Sequence, residues 1–391
     1  MPGRLVLRPN EERALRRGRL WIFADEIAEL AVDAPGGLVH VFSAQGTPLG
    51  TAYANPHSKI TARMLSGKCL QELKPAWWRE RLSVALRLRE RLIGGAHWRW
   101  VHGEGDRLPG LVVDRFGEDI VVQAHTAGID RELERILDAI EAIAAPRAIY
   151  LNHRIASRVL EGLAQEARLA RGKGEGWLEV REGGLQLRAH ALLGQKTGYF
   201  YDQRDNRLWV RSVAKDARML DVFCYLGSFA LQALAGGAKE AWAIDGSRTA
   251  LELAEENAAA LGFADRFRTL HGDAMRLLAE LFEQKERFDL IVCDPPAFAK
   301  SQKERSDALV GYEKLAFLAA RLVSTGGLLC LASCSGVVSL EDFRKACLRG
   351  VRRAGRAARV VRVAGAACDH PWPIAMPQLQ YLKFLGLVLD G

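Results

Sequence analysis

Residues 218–229 read Arg-Met-Leu-Asp-Val-Phe-Cys-Tyr-Leu-Gly-Ser-Phe: a short apolar run holding one aspartate, then a turn with a single glycine. The run predicts a buried β-strand, and the glycine a turn into a helix. Working outward, the same alternation continues. Strands are predicted at residues 218–223, 240–245, 267–271, 288–293, 327–332, 360–363 and 381–389. Helices are predicted at 228–235, 248–261, 274–284, 312–323 and 340–350. This is the order of a doubly wound α/β sheet. Right-handed crossovers then set the strand carboxyl ends along one edge, where such sheets bind ligands.

What ends each strand is the chemical clue. Asp221 and the turn Phe223, Tyr225, Gly227 and Ser228 close the first; Asp245, Gly246 and Ser247 the second; Asp273 and Ala274 the third; Asp294, Pro295 and Pro296 the fourth. The dinucleotide signature G-x-G-x-x-G is missing after the first strand, so the loop is not trimmed for a pyrophosphate. A cofactor without phosphate fits better, and S-adenosylmethionine is one. Asp245 can accept from both ribose hydroxyls, Asp273 from the adenine amino group, and Asp221 can favour the cationic end. Each aspartate taken singly also reads as a helix N-cap.

Asp294-Pro295-Pro296-Ala297-Phe298 stiffens the chain just past a strand. A flat base can stack there, with Asp294 taking a hydrogen bond from its edge and Phe298 offering a ring. The plain alternative is a rigid structural turn. The polar segment from Lys300 to Asp307 is placed to cover RNA. Cys334, in Ala332-Ser333-Cys334-Ser335-Gly336, ends the fifth strand on the same rim. Carbon 5 of cytosine is a poor nucleophile, and a thiolate adding at carbon 6 activates it. A small residue at a tight turn is the alternative reading. Ser339-Leu340-Glu341-Asp342 reads as the opening of a helix.

The rest of the chain differs in texture. Residues 1–70 predict a β-rich module, with a basic helix-compatible stretch at 10–19, Trp21-Ile22-Phe23, and strands near 38–42 and 49–53. Arg13, Arg16, Arg17 and Arg19 line either an RNA-facing edge or a solvated helix face. Residues 75–182 predict a small α+β unit: helix 75–94, the turn-rich run His102 to Asp114, strand 119–124, helix 131–143 and strand 148–152. Residues 171–176 read as an exposed loop. The third region, 186–391, holds the α/β sheet.

The chain has 391 residues, 49% hydrophobic and 26% charged, the composition of a globular protein of two or three domains. Its net charge of +8 favours a polyanionic partner such as nucleic acid. No stretch is long and apolar enough for a membrane span. The N-terminus shows no secretion signal. None of the seven cysteines forms C-x-x-C, so no metal site is indicated. Reduced thiols and a cytoplasmic location are expected.

At these residues the chain resembles the bacterial large-subunit ribosomal RNA cytosine-5 methyltransferases with an N-terminal PUA domain. The resemblance covers essentially the whole length. It rests on His102 to Asp114, on Gln195-Lys196-Thr197-Gly198-Tyr199-Phe200-Tyr201-Asp202-Gln203-Arg204-Asp205-Asn206-Arg207, on Asp294 to Phe298, on Ser333-Cys334-Ser335, and on Asp369-His370-Pro371 and Tyr381-Leu382-Lys383. It implies a PUA module, a central α+β domain and a Rossmann-like, seven-stranded class I methyltransferase domain acting on 23S ribosomal RNA with S-adenosylmethionine. It also implies that Phe200, Asp202 and Arg204 sit near the cofactor, that Asp294 serves the target base, and that Cys334 is the nucleophile. Departures are Ser228 for a second glycine, Gln378 for Glu and Ala316 for Asn. Many RNA cytosine methyltransferases carry a cysteine just after the target-base motif; here the nearby one is Cys293, before it. A homodimer is a family expectation only. Two other readings stay open: transfer to a purine ring or exocyclic nitrogen, and a non-catalytic RNA-binding factor that kept the fold.

Overall fold

The computed structural model describes residues 1–390. The chain divides into two units. The first comprises Met1–Val180, Ala189–Tyr201 and Cys368–Leu379; the second comprises Arg181–Arg188, Asp202–Ala367 and Gln380–Gly391.

The first unit contains two sheets. A six-stranded sheet is built from Gly3–Leu7, Trp21–Ile22, Ile27–Ala31, Gly37–Phe42, Pro48–Ala54 and Ala62–Ser66. Leu5, Leu7, Ile22, Val39, Val41 and Ala52 alternate inward to form its core. A five-stranded sheet follows, from His97–His102 to Ala167–Gly172, with helices Pro75–Leu92 and Leu133–Ala144 packed over Trp98, Val113, Ile120 and Ile149.

A buried polar network ties together the motif residues of this unit. Arg99 makes a two-point ion pair with Asp114 at 2.5 and 2.9 Å, and Thr197 also donates to Asp114. Arg89 pairs with Asp106 and donates to the Asp369 carbonyl. The Asp369 carboxylate accepts from the Arg99 amide at 3.0 Å and faces His370 at 2.8 Å. The signature residues Asp106, Asp114, Thr197 and Asp369 therefore serve structure here, since buried charges persist only when paired.

The second unit is built on a seven-stranded sheet. Its strands are β1 (Arg218–Val222), β2 (Glu240–Asp245), β3 (Phe267–His271), β4 (Phe288–Cys293), β5 (Val323–Ser333), β6 (Ala357–Ala364) and β7 (Lys383–Asp390), in spatial order 3-2-1-4-5-7-6. β1 to β5 run parallel; β7 is antiparallel to both β5 and β6. The helices are α1 (Arg204–Val213), α2 (Ser228–Ala235), α3 (Arg248–Ala260), α4 (Ala274–Glu283), α5 (Arg305–Leu322) and α6 (Leu340–Arg353). Strand order reverses between β1 and β4, which opens a crevice at their carboxyl ends. The parallel strands read as near-continuous apolar runs because helices cover them, as Leu220, Ile291 and Leu329 in the core illustrate.

Several expectations need correction. The helix expected over residues 10–19 is one turn, Glu12–Arg16. Asn10 is left-handed at φ 74° and Gly18 at φ 102°, and these end it on both sides. Residues 171–176 are only partly loop: Arg171 and Gly172 finish the strand Ala167–Gly172, paired with Ala148–Asn152. Trp177–Glu182 and Leu185–His190 form a hairpin that was not anticipated. Its turn residues Gly183 and Gly184 both have positive φ, the geometry that suits strand twist. Helix α1 was also missed, and α5 begins seven residues earlier than expected, at Arg305.

Within the second unit Glu182 holds Arg207 through bonds of 2.5 and 2.6 Å, with both side chains almost wholly buried. Glu182→Ala would remove the carboxylate that pairs the buried Arg207 guanidinium. Its expected cost is about 3–5 kcal/mol, read as a fall in the urea midpoint of this unit.

Candidate active site

Five loops leave the carboxyl ends of β1 to β5. The first is the most constrained. Phe223 (φ 65°), Tyr225 (φ 50°) and Gly227 (φ 68°) are all left-handed, so the chain coils tightly before α2. A Cβ at Gly227 would meet the Phe267 ring at 3.0 Å, tighter than ordinary contact, and its left-handed φ also favours glycine. Non-glycine residues in this region carry strain that surrounding structure must hold. That restraint is visible: the Cys224 amide donates to the Ile244 carbonyl at 3.0 Å, and the Tyr225 amide donates to Asp245 Oδ2 at 2.8 Å.

Asp245 accepts a second amide, that of Ser247, at 2.8 Å on its other oxygen, so its carboxylate is fixed in orientation. Ser247 caps α3 through Ala250. Gly246 is exposed, and its carbonyl lies 3.1 Å from His271 Nε2. Asp273 caps α4, accepting from the Arg276 amide at 2.8 Å, and Ala274 is buried behind it. Its capping role is therefore real, and its exposed position leaves the carboxylate reachable from solvent.

Asp221 is different. It is buried, and Oδ2 accepts the Ala230 amide at 3.1 Å, while Oδ1 has no hydrogen-bond partner. Burial, then the nearby Asp294 and Asp245 charges, push its carboxyl up to about 8. Asp202 is buried, its Oδ2 accepting from Tyr381 at 2.6 Å, and Arg204 is buried at the start of α1. Phe200 falls in the first unit, where the Lys196 ammonium lies 4.3 Å from its ring centre.

The fourth and fifth loops meet. The Asp294 amide donates to the Val222 carbonyl at 3.2 Å, which holds that turn against β1. Cys334 Sγ lies 3.8 Å from the Pro295 carbonyl oxygen. Pro296 is exposed. One face of Phe298 is already used: its ring lies 4.7 Å from that of Tyr312. Lys300 is exposed, and its amide donates to Glu304 at 2.7 Å.

Cys334 is half-buried, whereas its neighbours Ser333 and Ser335 are fully buried. Both serines turn inward to one phenol: Ser333 donates to Tyr312 Oη at 2.8 Å, and Ser335 Oγ lies 2.9 Å from it. The Ala299 amide adds a bond to Ser335 Oγ at 3.3 Å. Anchoring a residue on each side fixes the turn that carries Cys334, which stays half-buried with its sulfur against the Pro295 carbonyl. Cys293 and Cys330, inside β4 and β5, are fully buried, and burial pushes both thiols up.

Sequence reading missed Tyr312, Ser335 as an anchor and any role for Lys383 beyond its place in the Tyr381-Leu382-Lys383 motif. Tyr312 sits on an expected helix, but nothing in helical periodicity reveals a hydroxyl bridging a distant strand end. Tyr312→Phe leaves Ser333 and Ser335 without that shared partner, and is expected to cost about 1–3 kcal/mol in a urea titration.

Comparison with known proteins agrees with this architecture. Residues 5–67 match the PUA-like domain family, and residues 106–344 match the S-adenosylmethionine-dependent methyltransferase family. The ribosomal RNA large subunit methyltransferase I of Alteromonas mediterranea is 34% identical over 100% of this chain and 99% of its own. That of Cronobacter sakazakii is 34% identical over 98% of each. Among solved structures, a methyltransferase complexed with SAH superposes with a TM-score of 0.86 at 18% identity, covering 99% of this chain and all of that one. No helix among the described residues is long and apolar enough to cross a membrane. By sequence match over its full length, the chain belongs to the family of ribosomal RNA large subunit methyltransferase I proteins, S-adenosylmethionine-dependent methyltransferases with a PUA-like N-terminal domain.

Proposed function

We propose that the protein forms 5-methylcytosine in 23S ribosomal RNA, with Cys334 as covalent nucleophile. The observation that carries this is the half-buried Cys334, its sulfur 3.8 Å from the Pro295 carbonyl, in the turn that follows Asp294.

The residues at the ends of β1 to β3 fit a cationic, phosphate-free cofactor. The unpartnered oxygen of buried Asp221 asks for a positive group, and Asp245 presents a carboxylate already oriented by two amides. Asp221, Phe223, Tyr225, Gly227, Ser228, Asp245, Gly246, Ser247, Asp273 and Ala274 would hold it, with Asp202, Arg204 and Asp294 contributing. S-adenosylmethionine, when bound, supplies an electrophilic methyl group.

The chain's own residues do the rest. Pro295, Pro296, Phe298 and Lys300 receive the target base, and Asp294 binds its edge. The Cys334 thiolate adds at carbon 6, breaking the 5,6 double bond, so carbon 5 gains the electron density it lacked. Once carbon 5 carries the new methyl group, its proton is lost to a base. The carbon–sulfur bond then breaks, Cys334 leaves as thiolate, and the double bond returns. The reading also places the protein in the cytoplasm.

The test is direct. Ribosomal RNA methylated in vitro with labelled cofactor is digested to nucleosides, and the product is identified by mass. 5-Methylcytidine is expected. A methylated purine, or no transfer at all, would reject the assignment.

A further inference from the structure

The mechanism above uses a thiolate, and an ordinary cysteine near neutral pH is mostly thiol. Something beside Cys334 must favour the charged form. β5 and β7 are antiparallel with Ser333 opposite Lys383, so the Lys383 side chain starts one residue from the cysteine. Lys383 is buried. Its ammonium donates to the Ser335 carbonyl at 2.6 Å and to the Tyr381 carbonyl at 2.7 Å. The ammonium is thus bonded to the backbone of the residue that follows Cys334.

A buried lysine with two carbonyl partners and no carboxylate among those bonds is unusual, because carbonyls satisfy its protons without cancelling its charge. That leaves a net positive charge facing the strand end. Burial draws the ammonium down to about 8, and a thiolate at Cys334 would raise it again. Each group therefore favours the other's charged form.

Four other ionisable groups on the packed elements are not cations. Tyr312 on α5 is a phenol pushed up by burial, hence neutral. Asp294, after β4, is acidic. Tyr381, before β7, is bonded to Asp202. On α6, Asp342 is paired with Arg305.

We propose that Lys383 is a positioning residue for Cys334: its carbonyl-anchored ammonium fixes the turn at Ser335 and holds the adjacent sulfur as a thiolate. The thiol proton leaves to solvent. The proposal rests on the covalent reading of Cys334 but is tested without turnover.

The test is the pH dependence of Cys334 alkylation by iodoacetamide on the full-length protein. It is resolved by peptide mass, with exposed Cys69 as internal reference. In the wild type the Cys334 midpoint is expected below that of Cys69. Lys383→Gln, which keeps hydrogen-bond donors but no charge, is expected to raise the midpoint by about one unit and slow alkylation at pH 7 several-fold. Lys383→Arg is expected to restore the wild-type midpoint. A Cys334 midpoint at or above that of Cys69 in the wild type overturns the proposal even if no variant folds. So does a midpoint that Lys383→Gln leaves in place in folded protein. A Cys334→Ala enzyme that still made 5-methylcytosine would instead remove the covalent reading, and the alkylation profile would still report the charge effect by itself.

Discussion

Cys334→Ala is expected to lower the rate of 5-methylcytosine formation on the order of 10⁴-fold or more, with the affinity for S-adenosylmethionine essentially unchanged. The loss should be this large because no other sulfur in the second unit can substitute. Cys224, Cys293, Cys330 and Cys347 are all buried, and burial pushes each thiol up, away from the reactive thiolate. Stability should hardly move, since Cys334 is half-buried and its turn is anchored by Ser333 and Ser335. Single-turnover methylation of ribosomal RNA, with calorimetry for the cofactor, separates the two quantities. A variant retaining a tenth of wild-type turnover would contradict the account.

The second large effect concerns Asp221. Its carboxyl is drawn up to about 8, first by burial, then by Asp294 and Asp245, against the opposing Ala230 amide and Arg207. Near pH 7 it is largely protonated without ligand. A cationic ligand favours the carboxylate, so binding takes the proton off. Affinity for S-adenosylmethionine is therefore expected to rise with pH toward about 8, approaching tenfold per unit below that value, and then to level. Asp221→Asn should flatten this dependence and weaken binding above pH 8 by about 10²-fold. Isothermal titration of both proteins between pH 6 and 8.5 decides it; parallel pH slopes would contradict the role of Asp221.

The same shift acts in the opposite sense on stability. A carboxyl raised in the folded state contributes fully below its ordinary value of 3.8, and the contribution is lost as pH rises to about 8. The ligand-free protein should therefore gain from Asp221→Asn most at the alkaline end, in the same range where cofactor binding loses most.

Much of the fold was legible because the second unit obeys local rules. Apolar strand runs alternate with helical patterns, and the strands Glu240–Asp245, Phe267–His271 and Phe288–Cys293 fall where periodicity predicts. The carboxylates at strand ends follow from topology, which brings together residues far apart in the chain. The hairpin Trp177–His190 could have been read: Leu178, Val180, Leu185 and Leu187 alternate inward around Gly183-Gly184. Helix α1 is harder, because its first turn lies inside a polar motif and buries Arg204, Asn206 and Arg207, which pattern reading assigns to the surface. The roles of Tyr312 and Lys383 were hidden for a different reason. Their partners, Ser333 and Ser335, lie at the far end of a strand pairing that only the folded sheet creates.

The central claim is a covalent bond between Cys334 and carbon 6 of a cytosine. Fluorine at carbon 5 cannot leave as a proton, so an RNA carrying 5-fluorocytosine should arrest the reaction after methyl transfer. With S-adenosylmethionine present, the account predicts a denaturant-stable protein–RNA adduct that mass mapping assigns to Cys334 and that Cys334→Ala does not form. Normal methylation of unmodified RNA with no such adduct, or an adduct mapped to another residue, would contradict it.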